Sequence, residues 1–179
     1  MSITVYNPSS KPAPEVLKTA TRKTPLKGGI LGIIDNSKPN SDTVLKRVAD
    51  KLKIKYEVNE VIWSRKPTAS LPITDDEIQK LAKKCNLVLA GVGASGSCSS
   101  SSLLDGILFE KLGTPAAVIC TEPFIRSAEN MSVAHGFKSY PFAVMPHPIG
   151  PTDTKTLNQW ADDVFDEVAS LLTAPQNSN

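Results

Sequence analysis

Residues 87–102 read LVLAGVGASGSCSSSS: a short apolar run, then three glycines, then a run of serines around Cys98. Four consecutive apolar residues closed by glycine fit a strand buried on both faces. Gly91, Gly93 and Gly96 permit tight turns and close approach of the backbone, and the hydroxyls of residues 97–102 can cap the helix predicted over residues 102–112. The same order of strand, loop and helix recurs on either side. Upstream, GILGII (29–34) reads as a strand, DNSKPN (35–40) as a loop, and residues 41–52 as a helix with Val44, Leu45, Val48 and Leu52 on one face. Residues 56–62 alternate Val58, Val61 and Ile62 with polar neighbours and predict a second strand. Thr74 reads as the N-cap of DDEIQKLAKKC, whose early acids and late lysines complement the helix dipole. Downstream, AAVI (116–119) and FAVM (142–145) complete five strands, with helices predicted over 125–135 and 154–172. This alternation predicts one α/β domain, a doubly wound, mostly parallel five-stranded sheet of flavodoxin-like or Rossmann-like type. Trp63 and Trp160 read as core.

A length of 179 residues suits a single domain. We divide it into an N-terminal arm or extended lead-in (1–27), the α/β domain (28–173) and a disordered polar tail (174–179). The arm carries Pro12, Pro14 and Pro25 with scattered basic residues, and reads as a surface segment preceded by a short edge strand over ITVYNP. Twenty Lys and Arg against eighteen Asp and Glu leave a formal charge of +2, with no basic cluster, which argues against nucleic acid as a partner. No apolar run reaches the length of a membrane span, and the N-terminus lacks the pattern of a signal peptide, so no membrane partner and a cytoplasmic location are expected. Cys85, Cys98 and Cys120 are too few and too widely spaced for a disulfide framework or a zinc site.

In doubly wound sheets ligands bind beyond the carboxyl ends of the strands, which directs attention to four loops. Cys98 stands in the third-strand loop just ahead of a predicted helix, where the dipole and unpaired N–H groups favour thiolate over thiol. That is the setting of a nucleophile, and the alternative is an inert buried cysteine. Gly93, Ser95, Gly96, Ser97 and Ser99 surround it as candidates for binding a substrate or an oxyanion. GVGASG also matches G-x-G-x-x-G, but the glycine pattern alone is weak evidence for dinucleotide binding, and no cofactor is assigned. Glu122, directly after strand four, could act as general acid or base, or lie solvated at a helix start. His147, between two prolines after strand five, is the better base. His135 is an accessory candidate, with a helix C-terminus as its structural explanation. Asn36 and Lys38 in DNSKPN could hold an anionic substrate, and Asn40 could do so or serve as an N-cap.

Four segments together resemble the UGSC family, the proteins similar to the selenoprotein B component of glycine, sarcosine and betaine reductases. They are IDNSKPNSD (34–42), GVGASGSCS (91–99), FEKLGTPAAVICTEPF (109–124) and YPFAVMPHPIG (140–150). In that family a selenocysteine or cysteine precedes Gly-Ser-Cys. Here Ser95 holds the first position, before Gly96, Ser97 and Cys98, and Ser95 cannot close a disulfide-like bond with Cys98. The resemblance implies a reductase-like small-molecule enzyme in which Cys98 drives thiol-dependent cleavage or formation of a carbon–heteroatom bond. Cys120 or an external thiol such as glutathione would then resolve an oxidised Cys98. Two other readings stay open: a cysteine-dependent hydrolase, lyase or transferase without net redox change, and a non-catalytic binding subunit. A homo-oligomer, or a heteromer with a related subunit, is compatible with all three.

Overall fold

Each strand is followed by a helix long enough to return the chain to the opposite edge, so successive strands run parallel. The computed structural model describes residues 18–22 and 27–174. Its strands are β1 (Ile30–Asp35), β2 (Glu60–Arg65), β3 (Leu87–Gly93), β4 (Ala116–Thr121) and β5 (Ala143–Met145). Its helices are α1 (Ser41–Tyr56), α2 (Asp75–Ala82), α3 (Gly96–Lys111), α4 (Ile125–Ala134) and α5 (Thr154–Thr173), with a 3-10 turn over Glu122–Phe124. The sheet order is β2-β1-β3-β4-β5 and every pairing is parallel. This is the flavodoxin-like order, with its reversal of direction between β1 and β3.

Apolar side chains leave the sheet on both faces. Leu31, Ile33, Leu89 and Ile119 pack with α1 and α5 through Val44, Val48, Leu157 and Phe165. Ile34, Val88, Ala90 and Val118 pack on the other face with Ile78, Leu103, Ile107 and Ala128. β1, β3 and β4 are buried almost throughout, which is why they read as unbroken apolar runs.

Several boundaries differ from expectation. The serine run is not a loop: α3 begins at Gly96, so Cys98 lies inside its first turn rather than ahead of it. Serine is a modest helix former, but here tertiary contacts hold the turn. Ser95 Oγ accepts from Cys98 N–H, and Ser100 Oγ donates to the Ser127 carbonyl on α4. The second strand covers 60–65 rather than 56–62, because α1 continues to Tyr56 before Glu57 turns left-handed at φ 50°. Lys55 in that extra turn reaches Asp166 on α5, one turn beyond the Lys51–Asp162 pair. Trp63 is 40% exposed rather than core, since β2 is an edge strand with a neighbour on one side only. Trp160 is partly buried against the α1/α5 core.

The N-terminal arm is only partly a surface segment. Arg22 makes two hydrogen bonds to Glu110, at 2.7 and 2.8 Å, and a third to the Leu171 carbonyl at 3.0 Å. Both side chains of the ion pair are buried, and Glu110 also accepts the backbone N–H groups of Ala20 and Ala116. A carboxylate with this many donors is the form in which a buried charge is tolerated. The edge strand over residues 3–8, the arm's prolines and the tail beyond residue 174 lie outside the described residues.

At Gly93 the start of α3 packs tightly against the end of β3. A Cβ there would lie 2.7 Å from Ser99 Cα and 2.9 Å from Cys120 Sγ. Gly93→Ala must therefore move helix backbone, and a loss of about 1–3 kcal/mol is expected, read as a lower midpoint in urea. Gly150→Ala, whose added carbon meets nothing within 4 Å, should leave the midpoint in place.

Candidate functional site

Because all five strands run parallel, the loops after β1, β3, β4 and β5 emerge at one edge of the sheet. Cys98 sits there as the third residue of α3, 1% exposed. The Gly96 and Ser97 N–H groups at the start of that helix have no acceptor among the described residues, the normal condition of a first turn and the basis of anion binding there. Ser95 is committed to capping: its Oγ takes the Cys98 N–H at 3.4 Å. Ser97 is exposed on the rim. Ser99 is turned into the sheet against Gly93 and is fully buried, so it does not face a ligand.

β4 and β5 add the next two groups. Thr121, the last residue of β4, is fully buried, and its Oγ1 donates to the Gly93 carbonyl at 3.2 Å. His147 Nδ1 lies 3.2 Å from the same oxygen, and Phe124 meets the imidazole edge-on at 5.4 Å. The ends of β3, β4 and β5 are thereby tied side by side. Glu122 begins the 3-10 turn and is exposed; its carbonyl accepts the Ile125 N–H, and its carboxylate has no hydrogen bond or ion pair among the described residues.

The β1 loop contributes less than its residues suggest. Asn36 is buried, and its amide donates to the Val92 carbonyl at 2.7 Å and Ser102 Oγ at 3.3 Å, so it is a strut between β1, β3 and α3. Asn40 occupies the N-cap position of α1, yet its side chain caps nothing there. It donates instead to the carbonyls of Ile149, Gly150 and Thr152. This binds the β1 loop to the loop after His147. Lys38 is half-buried beside Asn36, whose Oδ1 accepts its backbone N–H.

Neither accessory candidate sits on the rim. His135 follows α4, which runs from the rim to the opposite edge, and its imidazole is pulled down by burial and by Lys111 at the end of α3. Cys120 is inside β4 and fully buried, and burial pushes its thiol up to about 12. A cavity of about 390 Å³ lined by Thr21, Cys85, Asn86 and Pro115 opens at the opposite edge as well.

The β2–α2 loop carries residues that the sequence did not single out. Ser70 Oγ lies 3.2 Å from Ser97 Oγ and 4.0 Å from Cys98 Sγ, so this loop closes over the cysteine. Its two ends converge on one carboxylate of α3. Lys66 Nζ donates to Asp105 Oδ2 at 2.6 Å and to Ser101 Oγ at 2.9 Å, and Ile73 N–H donates to Asp105 Oδ1 at 2.7 Å. Burial pushes the Asp105 carboxyl above the usual aspartate range, against the opposing pull of Lys66. One signal was available in advance: Cys98, Ser101 and Asp105 recur at helical spacing, placing an acid on the face that also buries Leu103's neighbours. Nothing comparable marks Lys66 or Ser70.

A family model described as the UGSC family matches residues 4–174. Among curated proteins there is no match. Among solved structures, the chain is similar to the flavodoxin-like domain of a Synechococcus sp. protein at 10% identity, with a TM-score of 0.38 over 78% of this chain and 98% of that one. No helix among the described residues is long and apolar enough to cross a membrane.

Two outcomes are expected of the site as built. Lys66→Ala leaves the Asp105 carboxyl buried without its cation and should cost about 3–5 kcal/mol, with much of the loss recovered in the Lys66→Met, Asp105→Leu double variant, both read in urea unfolding. In the folded protein iodoacetamide should leave Cys120 unmodified at pH 8, with labelling by mass spectrometry appearing only on unfolding.

Proposed function

This chain belongs to the UGSC family, and from that premise we propose that it is a small-molecule enzyme in which Cys98 attacks a carbon bearing a leaving heteroatom. The observation that carries the reading is the placement of Cys98 in the first turn of α3, beside the unpaired N–H groups of Gly96 and Ser97. Those groups can receive the developing charge of a carbonyl or carboxylate on the substrate. Glu122 and His147 share the rim and handle protons. The side chain is 1% exposed, so a substrate reaches Sγ only when the loop carrying Ser70 gives way.

The reductase-like course is balanced by two equivalents of an external thiol such as glutathione. Cys98 sulfur forms a bond to carbon, and the carbon–heteroatom bond breaks with its electron pair leaving on the heteroatom, which takes a proton from the site. A thiolate then attacks Cys98 sulfur. The carbon departs with the electron pair of the carbon–sulfur bond, as a carbanion stabilised by its adjacent carbonyl, and is protonated. The mixed disulfide left on Cys98 is cleared by the second thiol. Electrons thus come from the two thiols, which leave as a disulfide.

A second reading has its own support. Ser95 stands where the family carries selenocysteine or cysteine, its hydroxyl caps α3, and Cys120 is sealed in β4. Neither offers Cys98 a second reactive thiol. A hydrolase, lyase or transferase with Cys98 as nucleophile and water or a thiol as acceptor needs none.

Iodoacetamide tests the nucleophile without knowledge of the substrate. Cys98 should be alkylated faster at pH 7 than glutathione is under the same conditions, despite its burial, and His147→Ala should slow the reaction by about 10²-fold or more. Slower labelling than glutathione would return Cys98 to an inert structural role and leave the non-catalytic binding subunit standing. Loss of turnover on withdrawing thiol from a substrate screen would favour the reductase course over the second reading.

A further inference from the structure

A threonine hydroxyl has one hydrogen to donate and lone pairs to accept with. At Thr121 that hydrogen is directed to the Gly93 carbonyl, 3.2 Å away, which can only accept. His147 Nδ1 is 3.2 Å from the same Oγ1. With the hydroxyl hydrogen committed, this second contact is a hydrogen bond only if Nδ1 carries the proton. A neutral imidazole has one N–H, so Nε2 is left with its lone pair. The reverse tautomer would draw the hydroxyl hydrogen to Nδ1 and strip the Gly93 carbonyl of this donor beside a threonine that is fully buried. The Phe124 ring, at 79° to the imidazole, packs against the same side chain. Nε2 itself has no hydrogen-bond partner among the described residues, and His147 is exposed at the rim.

We propose that Thr121 is the positioning residue that holds His147 in its Nδ1–H tautomer, so that Nε2 keeps its lone pair as a proton acceptor. This rests on the reading of His147 as the base of the Cys98 site. When Nε2 takes a proton from Cys98, from an incoming thiol or from water, the Nδ1–H bond to Thr121 is unchanged, so the ring carries its new charge without turning. The strand register explains why this residue has the role. Gly93 stands beside Cys120 and Thr121 beside Met145, which puts the end of β4 between the glycine loop and His147.

Nitrogen NMR of histidine-labelled protein, recorded above the imidazole titration and assigned with His135→Gln, reads the tautomer directly. The expected spectrum has His147 Nδ1 in the range of protonated ring nitrogens and Nε2 in the lone-pair range. Thr121→Val should abolish that pattern and slow iodoacetamide labelling of Cys98 by about 10- to 100-fold, and Thr121→Ser should restore both. An Nε2–H tautomer in the unmodified protein, or an unchanged spectrum in Thr121→Val, would overturn the proposal. A changed spectrum with no change in labelling would overturn the positioning role. If Thr121→Val does not fold, the spectra of the unmodified protein and of Thr121→Ser still decide. The spectrum needs no activity, so a failure of Cys98 as nucleophile shows in the labelling rate alone and leaves the tautomer result standing.

Discussion

The close approach of α3 to β3 at Gly93 is the constraint on which the rest of the site depends. There is no room at that point for one carbon: Ser99 Cα and Cys120 Sγ would both fall within 3 Å of it. A helix that touches the strand it has just left must begin at once, and α3 does so three residues after β3 ends. That abrupt turn brings Cys98 into the first helical turn and leaves the Gly96 and Ser97 N–H groups pointing outward from the sheet edge. It also leaves the Gly93 carbonyl within reach of Thr121, through which His147 is attached. With a longer connection, none of these groups would be held to the others.

Two buried charges then fix α3 along its length. Asp105 gathers Lys66, Ser101-bound on its other side, together with the Ile73 amide, and so holds both ends of the loop over Cys98. Glu110, a little more than one turn further on, gathers Arg22 and two backbone amides. Ion pairs this deeply buried are weak contributors to stability compared with apolar packing, but each is costly to break. Their effect here is one of placement: a serine-rich helix with little intrinsic preference for its conformation is pinned to the strands, to the β2–α2 loop and to the segment before β1. In the proposed reaction that rigidity would hold Cys98 in one orientation.

The sheet was legible in the sequence because β1, β3 and β4 are covered on both faces and therefore appear as plain apolar runs. β2 was misplaced by four residues at its start. As an edge strand it is only half covered, and the α1 turn that displaces it meets α5 through Lys55 and Asp166, which lie more than a hundred residues apart in the chain. The site was legible in part for a related reason. Cys98, Glu122 and His147 each follow a recognisable strand, so their common edge could be read from topology. Asn36 and Ser99 could not be distinguished from ligand-binding groups, since whether a polar side chain turns inward is decided by its partners, here Val92, Ser102 and Gly93. Thr121, Ser70 and Lys66 carry no local signal at all.

Ser95 differs in what it can do from a thiol at the same position. A thiol at this position could form a disulfide with Cys98 and would cap α3 poorly, since sulfur is a weak acceptor. The serine hydroxyl does the reverse, accepting the Cys98 N–H as the helix cap. What is lost is an internal store of two electrons, and what is gained is a better-anchored first turn under the remaining cysteine. Any net reduction at this site must therefore draw its electrons from outside the loop. In the proposed reaction a thiol would deliver them by the substrate's own route, past Ser70 at the rim, because Cys120 is sealed beneath Gly93 in β4. Substrate and reductant would then share one route to Cys98, and the proposed reaction would take them in sequence, as separate steps on a covalent Cys98 intermediate.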